Sequence, residues 1–173
     1  MLCVVEEVWG VTQLDNVVYA VFLKSSIIKK YTADALSPLD DIHVEGMRDP
    51  NDIVVCRDDR QLYVADWHYC IWRVSLPADH HSCVKWLPTD STTDDTFRVK
   101  TLSVTSQRLL VTLVDPPRLH QYNTTNRQLL LVVPMPGDVV KLWHGIETTS
   151  GKFVVCHRGT EHDKQQCAVS DPF

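Results

Sequence analysis

The densest group of chemically versatile side chains in this chain of 173 residues lies in the stretch QLYVADWHYCIWRV, residues 61–74. Four of them follow one another: Asp66, Trp67, His68 and Tyr69. A carboxylate beside an imidazole suits acid–base chemistry or metal binding, whereas Trp and Tyr are common at protein interfaces. An Asp at a strand end also accepts backbone N–H bonds in the turn that follows, which gives Asp66 a structural role. We predict a binding surface formed by these four residues at a turn between two strands.

Other residues with catalytic or metal-binding chemistry do not form a recognisable motif. His80, His81 and Cys83 are close in sequence, as are Cys156 and His157, but they lack the paired spacings of tetrahedral zinc sites. The sequence has no G-x-S-x-G nucleophile motif and no Gly-rich phosphate loop. These observations favour a non-enzymatic protein without a cofactor.

The composition is that of one domain covering residues 1–173. Hydrophobic residues make up 44% of the chain, which is enough to bury a core, and the net charge of −5 disfavours a nucleic-acid partner. No signal peptide and no apolar run of membrane-spanning length is present, so we expect a cytoplasmic protein. Most of the six cysteines lie in apolar runs, where we expect reduced thiols.

The elements that position these residues repeat along the chain. Four apolar cores, VYAV, LYVA, LLVT and FVVC, place Tyr19, Tyr63, Leu110 and Val154 in register, at steps of 44, 47 and 44 residues. Each unit contains short apolar runs separated by turn residues, and no segment has a sustained helical pattern. A period of about 44 residues that holds four strands is typical of a β-propeller blade.

We therefore predict an all-β fold, a β-propeller of about four blades with four antiparallel strands each. A β-sandwich is the competing all-β architecture, but it gives no reason for this period. Because neighbouring blades cover both faces of a middle strand, continuous apolar runs such as LYVA are expected there. The predicted blades are 9–50, 51–96, 97–141 and 142–173, of which the last is incomplete.

The second unit, DPNDIVVCRDDRQLYVADWHYCIWRV, resembles an NHL repeat, with a Pro, a short strand, a turn and then "lYVAD". The third and fourth units resemble blades of invertebrate propellers of this NHL-like kind. NHL repeats usually build six-bladed propellers, so the resemblance implies either a piece of a longer ring or a four-bladed ring. In the second case, residues 2–8 would supply the missing strand of the last blade. Of these two possibilities, we expect a piece of a longer ring.

The NHL resemblance implies a scaffold that binds a protein or peptide partner, and it also raises a hydrolase alternative. In the related gluconolactonase-like propellers, Asn, Asp and Glu at strand starts around the channel bind a divalent cation such as calcium. The residues that match here are Asn51 and Asp52, with Glu7 as the only other nearby donor. Calcium needs about six oxygen ligands, and Lys100, at a matching strand start, would oppose a cation.

Some NHL propellers bind RNA, which makes RNA binding the second alternative. A local basic group of Arg118, His120 and Arg127 is available for this purpose. Because the chain as a whole is acidic, RNA remains the less favoured partner.

Overall fold

The structure, a computed structural model, describes residues 7–68, 70–77, 83–88, 97–137, 139–159 and 165–170. In this part of the chain every regular element is a strand, and no helix is long and apolar enough to cross a membrane. The strands are β1 Val8–Leu14, β2 Val17–Phe22, β3 Ile27–Thr32, β4 Ile42–His43, β5 Pro50–Cys56, β6 Gln61–Asp66, β7 Cys70–Ser75, β8 Cys83–Leu87, β9 Val99–Thr105, β10 Arg108–Val114, β11 Pro117–Asn123, β12 Leu129–Pro134, β13 Val139–Glu147, β14 Phe153–Gly159 and β15 Gln165–Ser170.

The strands form four antiparallel sheets in which each strand pairs with the next one along the chain. Three sheets have four strands, in the orders β1-β2-β3-β4, β5-β6-β7-β8 and β9-β10-β11-β12, and the described part of the fourth has three, β13-β14-β15. The predicted all-β propeller architecture is confirmed, whereas the prediction that the last blade is incomplete stays a prediction. β5 begins at Pro50 and β13 at Val139, slightly before the predicted blade starts at 51 and 142.

Each tight turn between the first two strands of a sheet contains a residue with a positive φ, at or directly after the residues that the sequence marks as turn formers. Asp15, Arg60 and Ser106 have φ values of 52°, 50° and 53° in the turns after β1, β5 and β9, and Gly151 has a φ of 80° after β13. A left-handed residue gives a two-strand hairpin the twist that its strands require. The recurrence of this geometry at the same point of each sheet supports the sequence repeat.

The sheets pack face to face in chain order, with one apolar cluster between each neighbouring pair. β6 shows why the LYVA core is apolar throughout. Leu62 and Val64 pack against the first sheet, whereas Tyr63 and Ala65 pack against the third, and all four are fully buried. Successive side chains of a strand point to opposite faces, so a sheet covered on both sides needs apolar residues at every position.

The first strands of the four sheets lie side by side along the axis of the arc, where β1 contacts β5, β5 contacts β9 and β9 contacts β13. Gly10 permits the closest approach, because a Cβ atom at this position would lie 2.8 Å from the Ile53 amide nitrogen. Among the described residues, no comparable packing joins β13 back to β1. Residues 1–6, most of the segment named for ring closure, lie outside the described residues.

Candidate ligand-binding site at the channel mouth

Asp66, the first residue of the predicted binding surface, is fully buried and forms the centre of a hydrogen-bond network. Its Oδ2 accepts from the Arg48 amide at 2.9 Å and from Trp72 Nε1 at 3.1 Å. Its Oδ1 accepts from the amides of Asp49 at 3.2 Å and His68 at 3.0 Å. The carboxylate therefore joins the loop before β5 to the turn after β6, and it presents no exposed group to a partner.

The turn that Asp66 organises places Trp67 at the surface, where the indole is 38% exposed. His68 Nε2 lies 3.7 Å from Asp49 Oδ2, so the imidazole leans back over the loop before β5. Tyr69, the fourth residue of the predicted surface, lies outside the described residues. Among the described residues of this surface, Trp67 lines two adjoining cavities.

A cavity of about 920 Å³ opens at this end of the channel. Three indoles from different parts of the fold line it: Trp9 on β1, Trp67 after β6 and Trp143 on β13. The remaining lining residues are four cationic side chains, one carboxylate and three apolar residues. They are Arg98, Lys100, Lys141, Arg158, Asp115, Val114, Pro117 and Val140. The mouth is thus both aromatic and basic.

Lys100 occupies the space between the three indoles. Its Nζ lies 5.7 Å from the ring centroid of Trp9, 5.3 Å from that of Trp67 and 5.1 Å from that of Trp143. The ammonium of Lys141 lies over the same Trp143 ring at 4.7 Å. Burial lowers the pKa of Lys100, and the neighbouring positive charge of Lys141 lowers it further, although the Asp52 carboxylate opposes both.

A common backbone feature places these side chains. The pairing of the first strand of each sheet skips at least one residue: Trp9 in β1, Asn51 in β5, Lys100 in β9, and both Val140 and Trp143 in β13. A bulge leaves one residue out of the ladder and changes the direction of its side chain. All five bulge residues line the mouth, since Asn51 lines a second cavity that shares Trp9, Trp67 and Lys100 with the first.

This second cavity has a volume of about 240 Å³, and two of the residues that line it each carry a buried side-chain oxygen without a hydrogen-bond partner. Asn51 is 7% exposed, and its Nδ2 donates to the carbonyls of Val99 at 3.1 Å and Lys100 at 2.6 Å. That bonding fixes the amide orientation and leaves Asn51 Oδ1 buried with no donor, as is Asp49 Oδ1. Buried acceptors without donors are rare in folded proteins, and they indicate a place for a ligand or a water.

Asp52 lies deeper, in the channel wall that faces His144 across a third cavity. Its Oδ2 accepts from the Leu102 amide at 2.7 Å and its Oδ1 from the Ile53 amide at 2.9 Å. Burial nevertheless raises the pKa of Asp52 to about 6. Burial also lowers the pKa of His144.

The three residues of the calcium alternative do not converge on one point. Asn51 Oδ1 has no hydrogen-bond partner, but both oxygens of Asp52 accept backbone N–H groups and Glu7 is exposed just before β1. Within the described ranges, no three His, Cys, Asp or Glu side chains come close enough to hold a metal ion. His80 and His81, considered above for zinc, lie outside those ranges.

The basic group considered for RNA lies apart from the mouth, on β11 and in the turn that follows it. His120 Nδ1 forms a hydrogen bond of 3.0 Å with the Tyr122 hydroxyl, and Arg127 is exposed with a φ of 63°. None of Arg118, His120 and Arg127 lines the three cavities described here.

The sequence pointed to Trp67, Asn51 and Lys100, but it gave no reason to select Trp9, Trp143 or the surrounding cations. A signal was present in the repeat. Aligning the strand starts brings Trp9, Asn51, Lys100 and His144 together. The first three line the mouth, and in the fourth sheet the residue that does so is Trp143, one position before His144.

Neither a family model nor a curated protein matches the sequence. The fold is similar to solved structures that include the WD40 repeats of RRP9, with 12% identity and a TM-score of 0.67 over 88% of this chain and 45% of that one. U3-55K gives 12% identity and a TM-score of 0.68 over 94% and 51%. A chain of a nidogen/laminin complex gives 15% identity and a TM-score of 0.67 over 94% and 60%.

These similarities support a propeller-like fold, and WD40 repeats are themselves propeller repeats. The chain spans about half the length of the proteins it matches. At such identities the likeness establishes the fold alone, because propellers have many unrelated functions.

Proposed function

We propose that this chain is a non-enzymatic, NHL-like propeller module that binds a segment of a protein partner at the channel mouth. The observation that carries the proposal is the convergence of Trp9, Trp67 and Trp143, from three different sheets, on one cavity. Indoles with apolar faces and a polar N–H provide much of the binding energy at protein interfaces. The NHL assignment rests on the sequence resemblance of the second blade.

The rigidity of the mouth supports a binding role. Trp67 is held by the turn that the Asp66 network fixes, whereas Trp9 and Trp143 stand at bulges in packed strands. Side chains held in place before binding lose little conformational freedom on binding, and this increases affinity. WD40 repeats and a nidogen/laminin complex are among the similar structures, and the second of these is an assembly of proteins.

Selection from a random peptide library tests the proposal. The full chain is immobilised, and enriched peptides are measured by fluorescence anisotropy against wild type, Trp67→Ala and Trp143→Ala. The matched control is Leu129→Ala, because Leu129 is an exposed apolar residue on the outer strand β12, away from the mouth. Thermal unfolding checks that each variant remains folded.

We expect both Trp variants to weaken binding by about 2 kcal/mol or more, as truncation of an interface hot spot does. The control should bind as wild type does. Peptides that bind all four proteins equally, or a selection that enriches nothing, would contradict a peptide-binding mouth. Hydrolysis of a lactone by the chain with added calcium would instead support the hydrolase alternative.

A further inference from the structure

The charge at the mouth is opposite to that of the whole chain. Four cationic side chains and one carboxylate line the large cavity, although the net charge of the protein is −5. Among the described residues, no carboxylate lies within ion-pair distance of the ammonium of Lys100 or of Lys141. Two ammonium groups therefore share the Trp143 ring, and the described part of the chain places no carboxylate in an ion pair with either.

We propose that the large cavity takes an acidic side chain of the partner, with its carboxylate between Lys100 and Lys141 beside the Trp143 indole. This inference rests on the proposed function, because it assumes that a peptide segment enters the mouth. A bound carboxylate makes charge-assisted hydrogen bonds with both ammonium groups and removes their mutual repulsion. The indole rings shield these bonds from water, which strengthens them.

A cationic ligand fits the same cavity poorly. An aromatic cage commonly binds an ammonium group through the faces of its rings. Here Lys100 already occupies the faces of all three indoles, at 5.1 to 5.7 Å from the ring centroids. A second cation placed there would meet Lys100 and Lys141 at close range, and like charges at an interface disfavour such a partner strongly.

The smaller cavity adds a second requirement to the same partner. It adjoins the first, since Trp9, Trp67 and Lys100 line both, and it holds the orphaned oxygens of Asn51 and Asp49. Each oxygen accepts but cannot donate, so the matching group is a hydrogen-bond donor, for which a backbone N–H of the segment is the simplest candidate. The partner segment thus presents an acidic side chain to the large cavity and an N–H donor to the small one.

Phosphates of single-stranded RNA would also satisfy the cations, and its bases would stack on the indoles. A protein that follows an RNA strand needs a basic groove along several nucleotides. The cations described at the mouth are confined to one cavity in an acidic chain, so the acidic peptide is the better match. RNA is one arm of the test below.

The test uses fluorescein-labelled peptides of one length in which Gly-Ser spacers alternate with Glu, Gln or Lys, together with a labelled single-stranded U-rich RNA. Anisotropy is measured on the full chain at low and at physiological salt. The variants are Lys100→Met and Lys141→Met, and the control is Lys85→Met, which removes the same charge from the exposed face of β8.

We expect the Glu peptide to bind at least about tenfold more tightly than its Gln counterpart, and the Lys peptide not to bind. Each mouth variant should lose at least about tenfold, Lys85→Met should change affinity less than about twofold, and higher salt should weaken binding. Equal binding of the Glu and Gln peptides, or unchanged affinity in Lys100→Met, would overturn the inference.

The outcomes separate this inference from the proposed function. Library peptides that bind in a Trp143-dependent way without acidic residues would refute the acidic ligand and leave the peptide-binding module intact. RNA that binds in a Lys100-dependent way while the Glu peptide does not would refute both, in favour of a nucleic-acid site. If neither the library nor the Glu peptide gives a binder, both fail together.

Discussion

The Asp66 network gives the sharpest prediction about this protein, because four donors converge on one buried carboxylate. In Asp66→Asn the side chain keeps one acceptor oxygen and replaces the other with an NH₂ group. Two of the four N–H groups then point at this NH₂ group, which cannot accept a hydrogen bond from them. A buried donor left without an acceptor costs about 1–3 kcal/mol, so we expect a loss of roughly 4 kcal/mol in the free energy of unfolding.

Urea denaturation at 25 °C, followed by Trp fluorescence, measures this loss. Asp58→Asn is the matched control, since Asp58 is exposed in the turn after β5 and should change stability by less than about 0.5 kcal/mol. Trp72→Phe removes one donor and leaves Oδ2 with the Arg48 amide, so a smaller loss of about 1 kcal/mol is expected.

The reasoning fails if Asp66→Asn unfolds within about 1 kcal/mol of wild type, because the carboxylate would then not hold the loop and the turn together. The same variant links the fold to the mouth. Where it still folds, at lower temperature, either orientation of the amide breaks one bond to the loop before β5 and one to the segment after β6, so the turn that carries Trp67 is held less firmly and the affinity for peptides selected at the mouth should fall.

Three further predictions concern the channel. Gly10→Ala forces a Cβ atom against the Ile53 backbone and should cost about 1–3 kcal/mol in urea denaturation, whereas Gly137→Ala, with open space at its Cβ position, should be nearly neutral. Because burial raises the pKa of Asp52 from 3.8 to about 6, the protonated form is favoured by folding. The protonated Asp52 side chain therefore contributes to the free energy of unfolding below pH 3.8, and this contribution is lost as the pH rises through 6. Wild type should therefore lose roughly 2 kcal/mol relative to Asp52→Asn between pH 4 and 6.5, and parallel stability curves would contradict the burial argument. A bound anion favours the charged form of Lys100, whose pKa is lowered in the free protein, so affinity for the Glu peptide should fall as the pH rises toward 10.5. Calorimetry should detect proton uptake on binding at the alkaline end of this range, and a flat profile would show that Lys100 does not contact the anion.

Much of this fold can be predicted from the sequence because the packing of one sheet between two others requires the same residue pattern in each repeat. A sheet covered on both faces needs apolar residues at every position of its middle strands, and the LYVA core satisfies that demand, with Leu62 and Tyr63 on opposite faces. The turns follow for a similar reason, because a left-handed residue is needed where two strands reverse, as at Asp15 and Ser106.

The site can be predicted from the sequence only in part, because β-bulges determine the direction in which its side chains point. Alternation along a strand predicts the face of each residue only while the ladder is regular. β13 loses that regularity at two points, between Val139 and Lys141 and between Leu142 and His144. The direction of Trp143 therefore cannot be read from its position in the strand. Asp66 shows both cases. Its hydrogen bond within the following turn is local and can be predicted from the sequence, but its bonds from the Arg48 and Asp49 amides depend on the tertiary fold.

The recurring bulge also has a consequence for how binding specificity can change. Trp9, Lys100 and Trp143 are skipped by the strand pairing and stand at the mouth, so their side chains are not selected for the regular alternation that fills the core. These three positions can thus vary with little effect on folding, whereas Asn51 is buried and bonded to the carbonyls of Val99 and Lys100. The propeller therefore separates a repeated packing pattern from a few variable positions at its mouth, and exchanging residues among these three positions should produce new ligand preferences on an unchanged scaffold.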